Sequence, residues 1–194
     1  MTSTALVATP GSAQRTRLLA VAAPALLAGY GLVRLVPGSR EPGPGWMLGH
    51  TALLAGLLCF GPLLLRLHRP GRVSALGLGA ALFGLVWSLV QVAVDLCVGA
   101  ISSTEAAQEH HFEAIQSVPG VLPLVYQFGP LAFYLGLLTL LTHLAVRRTL
   151  PWYSPVLVLT GTLAMGASLD LMPLGGALYG LALAPLARRG SEVQ

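Results

Sequence analysis

Along this chain, long apolar runs alternate with short segments rich in arginine, proline, glycine or acid. Six of the runs predict helices, at about 18–36, 46–65, 74–98, 121–146, 155–169 and 173–187, because roughly 20 apolar residues cross a bilayer core. The third shows the clearest pattern. Ser74, Gly77, Ala81, Gly84, Ser88, Gln91 and Asp95 recur at gaps of three and four, which puts them on one face of a helix. Leu78, Leu82, Leu85, Val86, Leu89, Val92 and Ala93 make an opposite, wholly apolar face. In water the apolar face would turn inward. In lipid the preference inverts, and small and polar residues turn toward other helices. The third helix is therefore expected at the centre of a bundle.

The fourth run carries a matching stripe, Tyr126, Gly129, Phe133, Gly136 and His143, suited to packing on the third. Pro123 and Pro130 are expected to bend it. Between these two runs lies the one long polar segment, 99–118. Ser102-Ser103-Thr104-Glu105 fits a capping box, and helix-favouring residues follow. A short amphipathic helix lying on the outer surface is expected, closed by Val118-Pro119-Gly120.

The first run follows Arg15 and Arg17. It is long for a leader and no small-x-small cleavage site follows it, so it reads as a retained span, with Pro24 tolerated inside and Arg34 reaching outward along its stem. Residues 37–45 make a turn-rich loop. Ser154-Pro155 reads as an N-cap followed by proline at the first helical position. The two last helices are short and form a hairpin turning at 170–173. Gly176, Gly180 and Ala184 form a small-residue ridge, for packing within the chain or for a homodimer contact. Residues 1–16 and 190–194 are expected as tails, leaving 17–189 as one all-α, polytopic transmembrane bundle.

Composition agrees. Of 194 residues, 55% are hydrophobic and only 9% charged, against about 25% charged in soluble domains, and the mean hydropathy is +0.75. The net charge of +4 is distributed by side and does not mark a nucleic-acid surface. Arg15, Arg17, Arg66, Arg69, Arg72, Arg147, Arg148, Arg188 and Arg189 fall on one expected side, and only Arg34 and Arg40 on the other. The positive-inside rule makes the first side cytoplasmic, placing both termini there and the basic turns against anionic lipid headgroups. All the basic residues are Arg and none is Lys, a usage associated with G+C-rich bacterial genomes, so the expected location is a bacterial inner membrane. Cys59 and Cys97 fall at different depths and are expected as buried, unpaired thiols.

The candidate chemistry follows from depth. His50, Gln91, Asp95, Tyr126, Gln127 and Asp170 all lie near the outer boundary, with Arg34 close by. An ionisable group inside a membrane costs perhaps 2.5–3.5 kcal/mol on insertion scales and needs a partner or a wet cavity. These residues are therefore expected to line an outward-facing polar pocket, with Asp95 and His50 as its pair. The alternatives for single residues are a helix end paired with Arg34 for Asp95, an interhelical hydrogen bond for His50, and a turn or cap for Asp170. His110, His111 and Glu113, with Glu105 and Glu109, are metal-ligand residue types, but no His-Glu-x-x-His spacing occurs and a solvated helix face is expected instead. No cofactor motif, glycine-rich phosphate loop, Gly-x-Ser-x-Gly or Cys-x-x-Cys is found.

Three functions fit this pattern. The first is a binding module for a small amphipathic ligand or a proton. The second is an intramembrane acid–base enzyme using Asp95 and His50, with Trp87, Tyr126, Phe128 and Tyr134 as aromatic walls. The third is a scaffold subunit. Gly49-His50, the acidic linker and Met172-Pro-Leu-Gly-Gly-Ala-Leu178 also resemble small six-helix inner-membrane proteins of actinobacteria. That resemblance implies a location and brings no activity or site residues with it.

Overall fold

A computed structural model describes residues 10–189 of the chain. The parts of the expected tails over 1–9 and 190–194 lie outside the described residues. Among the described residues the regular structure is all helix: α1 (Pro10–Arg34), α2 (Pro44–Leu67), α3 (Arg72–Ile101), α4 (Glu105–Gln116), a π-helical segment (Leu122–Phe128) running into α5 (Gly129–Val146), α6 (Tyr153–Ala167), one 3₁₀ turn (Leu169–Leu171) and α7 (Met172–Arg189). Five stretches are long and apolar enough to cross a membrane, Ala13–Arg34, Pro44–Leu67, Arg72–Ile101, Leu122–Val146 and Leu169–Arg188, and α6 is a shorter apolar helix.

The long helices form a ring in chain order. α1 packs on α2, α2 on α3, α3 on α5, α5 on α6, α6 on α7, and α7 returns to α1. The α3–α5 contact is the most extensive and the α5–α6 contact the least. Close approach explains the first. A Cβ on Gly84 would collide with the backbone of Phe133 and Gly129, and one on Gly136 with the backbone of Ala81 and Gly77. Ser74, Gly77, Ala81, Gly84, Ser88 and Asp95 are all buried. The opposite face is not wholly exposed, however. Leu85 and Val92 are buried as well, because α3 also packs on α2.

Several local expectations are corrected. Residues 10–16 are helical, part of α1, and not tail. The N-cap of α4 is Thr104, whose side chain accepts from Ala107 N, while Ser102 Oγ contacts His111 Nδ1 at 3.1 Å. Ser154 does not cap α6. That helix starts at Tyr153, and Ser154 is buried with its hydroxyl unpartnered. Cys59 and Cys97 are both free, but Cys97 is exposed. The ridge on α7 faces α1: a Cβ on Gly176 would strike Ala28, and Gly180 lies 4.0 Å from Pro24.

The prolines at 123 and 130 rewind the chain. Pro130 has no N–H to return to the carbonyl of Tyr126, and its ring crowds that carbonyl. The wider π winding absorbs this, with Gly129 N bonded to Leu124 O, one residue further back than in an α-helix.

Cross-links identify two ends. At one, Arg66 Nη1 donates to Thr16 Oγ1 at 2.9 Å, Ser74 Oγ accepts from Arg69 N at 3.0 Å, and Gly71 approaches His143. At the other, Arg40 of the α1–α2 loop reaches Asp170 of the α6–α7 turn at 2.7 Å, and Trp46 meets Phe112 of α4 at 6.1 Å between ring centroids.

The glycine crossing yields a matched pair of variants. Gly84→Leu forces α3 from α5 and is expected to cost at least the roughly 1–3 kcal/mol of an overpacked core. Gly79→Ala, on the same helix with nothing within 4 Å of an added Cβ, is expected to be neutral or to gain up to about 1 kcal/mol of helix propensity. Thermal unfolding in detergent checks both.

Candidate functional site

The weak α5–α6 seam opens toward the α4 end. At the opposite end Leu144, Leu150, Ser154 and Val158 are buried and hold the two helices together. Toward the α4 end α6 stops at Ala167 and Ser168 takes an extended conformation, while the chain facing it is the π segment. A cavity of about 570 Å³ occupies the gap. Its exposed rim is formed by Gly166, Ala167, Ser168 and Leu169.

One wall of the cavity is polar. Ser88, Gln91 and Asp95 enter from α3 and Tyr126 from the π segment. The three α3 residues continue the small-residue stripe and cover about 10 Å along the axis at 1.5 Å per residue. Tyr30 and Tyr134 also line the cavity, and the remaining wall is largely Leu, Phe and Met: Leu27, Leu57, Phe60, Phe133, Met165 and Met172. The hydroxyl of Tyr126 is buried, with Gln116 beside it but not in good hydrogen-bond geometry. A buried donor left in this state stays available to a ligand or water.

Behind Asp95 stands an ordered set of side chains. Trp46 Nε1 donates to the backbone oxygen of Asp95 at 2.8 Å. A Cβ on Gly99 would strike the indole, so only glycine leaves Trp46 this place on α3. His50 stacks on Trp46 at 4.0 Å between centroids and meets Tyr30 edge-on at 5.2 Å. His50 Nδ1 lies 2.9 Å from Trp46 O. A carbonyl can only accept, so Nδ1 carries the proton of this bond. That leaves Nε2 facing Asp95 Oδ2 at 3.8 Å, an ion-pair distance longer than a hydrogen bond. The two groups attract only when a proton resides on one of them, as imidazolium with carboxylate or imidazole with carboxylic acid. Asp95 and His50 are 8% and 5% exposed, so neither can rely on bulk water for its charge.

The other expected site residues are placed differently. Arg34 does not pair with Asp95; its Nε lies 3.5 Å from Asp170 Oδ1, and Arg40 Nη2 lies 2.7 Å from the same oxygen. Asp170 is half exposed, and its backbone N–H is capped by Ser168 Oγ at 3.1 Å. Gln127 is exposed and lies outside the cavity lining. His50 and Arg34 line a separate void of about 10 Å³ with Ser39, room for about one water. Of the four expected aromatic walls, Tyr126 and Tyr134 line the cavity; Phe128 is exposed, and Trp87 lies against Gly129.

On α4, His110 and Glu113 are exposed, and among the described residues no three His, Cys, Asp or Glu side chains converge. Tyr30, Phe60, Met165 and Met172 were not singled out from sequence. Tyr30 lies one helical turn before Arg34, in the same outer zone as the polar set, and that position was the available signal.

Trp46→Phe keeps an aromatic ring over His50 and removes the indole donor. An expected loss of about 0.5–1.5 kcal/mol, the net worth of one hydrogen bond, is measured by thermal unfolding, with Trp152→Phe, at the exposed start of α6, as the unaffected control.

No protein-family model, curated protein sequence or solved structure matches this chain, so the chemistry of the site is read from its own residues.

Proposed function

We propose that this chain is a six-span protein of the bacterial inner membrane that binds a small amphipathic molecule in the α5–α6 cavity. The observation that carries this is the division of that cavity into one polar wall (Ser88, Gln91, Asp95, Tyr126) and one wall of apolar and aromatic side chains. An amphipathic molecule satisfies both walls, with its head at Asp95 and Gln91 and its chain toward Met165 and Leu169. The rim residues Gly166, Ala167, Ser168 and Leu169 are exposed, and in this reading they border the surrounding lipid. Membrane lipids are then the immediate neighbours of the ligand.

In this reading α6 completes the sixth crossing and both termini are cytoplasmic. The arginine-rich end, with Arg15, Arg17, Arg66, Arg69, Arg72, Arg147, Arg148 and Arg188, faces the cytoplasm. The α4 end, the cavity and the Asp95–His50 pair face outward. In a background lacking Cys59 and Cys97, a membrane-impermeant maleimide applied to intact cells is expected to label Glu109→Cys and to leave Arg69→Cys unlabelled. The reverse pattern would refute the orientation.

Binding is tested at the rim. An added Cβ at Gly166 meets nothing within 4 Å, so Gly166→Trp is expected to fold and to obstruct the entrance. Decanol near a hundredfold above its dissociation constant should stabilise the unmodified protein by about 2.7 kcal/mol, and the Trp variant by much less. Equal thermal shifts in both proteins would remove the cavity from consideration.

A second reading, an intramembrane acid–base enzyme, is favoured by the shared-proton geometry of His50 Nε2 and Asp95 Oδ2. Recovery of the bound molecule chemically unchanged after long incubation supports binding alone; conversion that disappears in Asp95→Asn supports catalysis.

A further inference from the structure

We propose, resting on the reading of the cavity as a binding site, that its ligand class is a cationic amphiphile. The head is an alkylammonium group placed at Asp95, and the hydrocarbon tail leaves between α5 and α6.

The argument begins with charge. Asp95 is the one acidic or basic side chain among the residues lining the cavity. The nearest basic residues on the same end, Arg34 and Arg40, are engaged with Asp170 at 3.5 and 2.7 Å and do not line it. A carboxylate or phosphate head would therefore meet Asp95 with no cation in the lining to receive it. In a medium where a single buried charge is costly, that arrangement excludes anionic lipids and fatty acids. A neutral head gains only hydrogen bonds from the polar wall, Ser88, Gln91 and Tyr126.

Aromatic geometry adds a second, independent preference. Tyr30, Phe60, Tyr126, Phe133 and Tyr134 all contribute to the lining. Ring faces attract cations, most strongly where water is excluded. Of these rings, Tyr30 and Tyr126 lie within electrostatic reach of Asp95, and His50 stands behind Asp95, outside the cavity lining, where it leaves the approach of an ammonium ion clear.

The test compares three molecules of one chain length, decyltrimethylammonium, decanol and decanoate, titrated into the full-length protein in nanodiscs at pH 7.5 and read by calorimetry. The ammonium is expected to bind about tenfold or more tighter than the alcohol, a difference of about 1.4 kcal/mol, and decanoate weakest of the three. Asp95→Asn should lower ammonium affinity severalfold toward that of the alcohol, while Asp95→Glu keeps the preference.

Decanoate binding as tightly as the ammonium, or a preference undiminished in Asp95→Asn, overturns the proposal. If Asp95→Asn does not fold, the order of the three affinities in the unmodified protein decides alone. Decanol binding without discrimination defeats the cationic class and leaves the amphiphile site standing, whereas absence of binding by all three defeats both.

Discussion

Everything in this bundle leans on the crossing of α3 and α5. In a hydrocarbon solvent there is no hydrophobic force between helices, and association comes from close van der Waals contact and polar pairing. Gly77, Ala81 and Gly84 on one helix and Gly129, Phe133 and Gly136 on the other let the two backbones approach until no added Cβ fits. The same helical face that makes this contact continues upward into Ser88, Gln91 and Asp95. Packing and polarity are therefore one stripe, and the register that buries the glycines also directs the carboxyl group into the interior.

The cavity arises because the stripe outlasts its partner. Below Gly129 the facing chain is a regular α-helix and the contact is tight. Above it the prolines impose a π winding, and α6 ends early at Ala167. Two helices that would close the ring stop matching at the same level, and polar side chains that would otherwise have been sealed face open space. The buried Tyr126 hydroxyl, whose hydrogen-bond geometry is not satisfied, is a local trace of that mismatch.

These features differed in how far they could be read from the residues alone. The gaps of three and four in α3 reveal its inward face directly, since helical geometry converts spacing into direction. Depth along the spans brought Asp95 and His50 to one level, and their side chains stand 3.8 Å apart. Lateral position was beyond reach. Nothing in spacing distinguishes Tyr126, which lines the cavity, from Gln127 beside it, which is exposed, because the π winding shifts every direction that follows. Nor could Arg34 be assigned to Asp170 and away from Asp95 without knowing that α1 is flanked by α7 as well as α2. The identity of the far wall, Met165 and Met172, depended on the ring order, which is a property of the whole chain.

The shortness of α6 reaches beyond the molecule. Fifteen residues rise only about 22 Å at 1.5 Å each, several ångströms less than the hydrocarbon thickness of most bilayers. As the sixth crossing of the proposed topology, such a segment would require the surrounding bilayer to thin. Around this protein the deformation would be one-sided, concentrated along the flank where α6 meets the mouth of the cavity. Lipid tails there would be shortened and disordered, and a molecule leaving the bilayer for the interior would depart from the place where the membrane holds it least firmly.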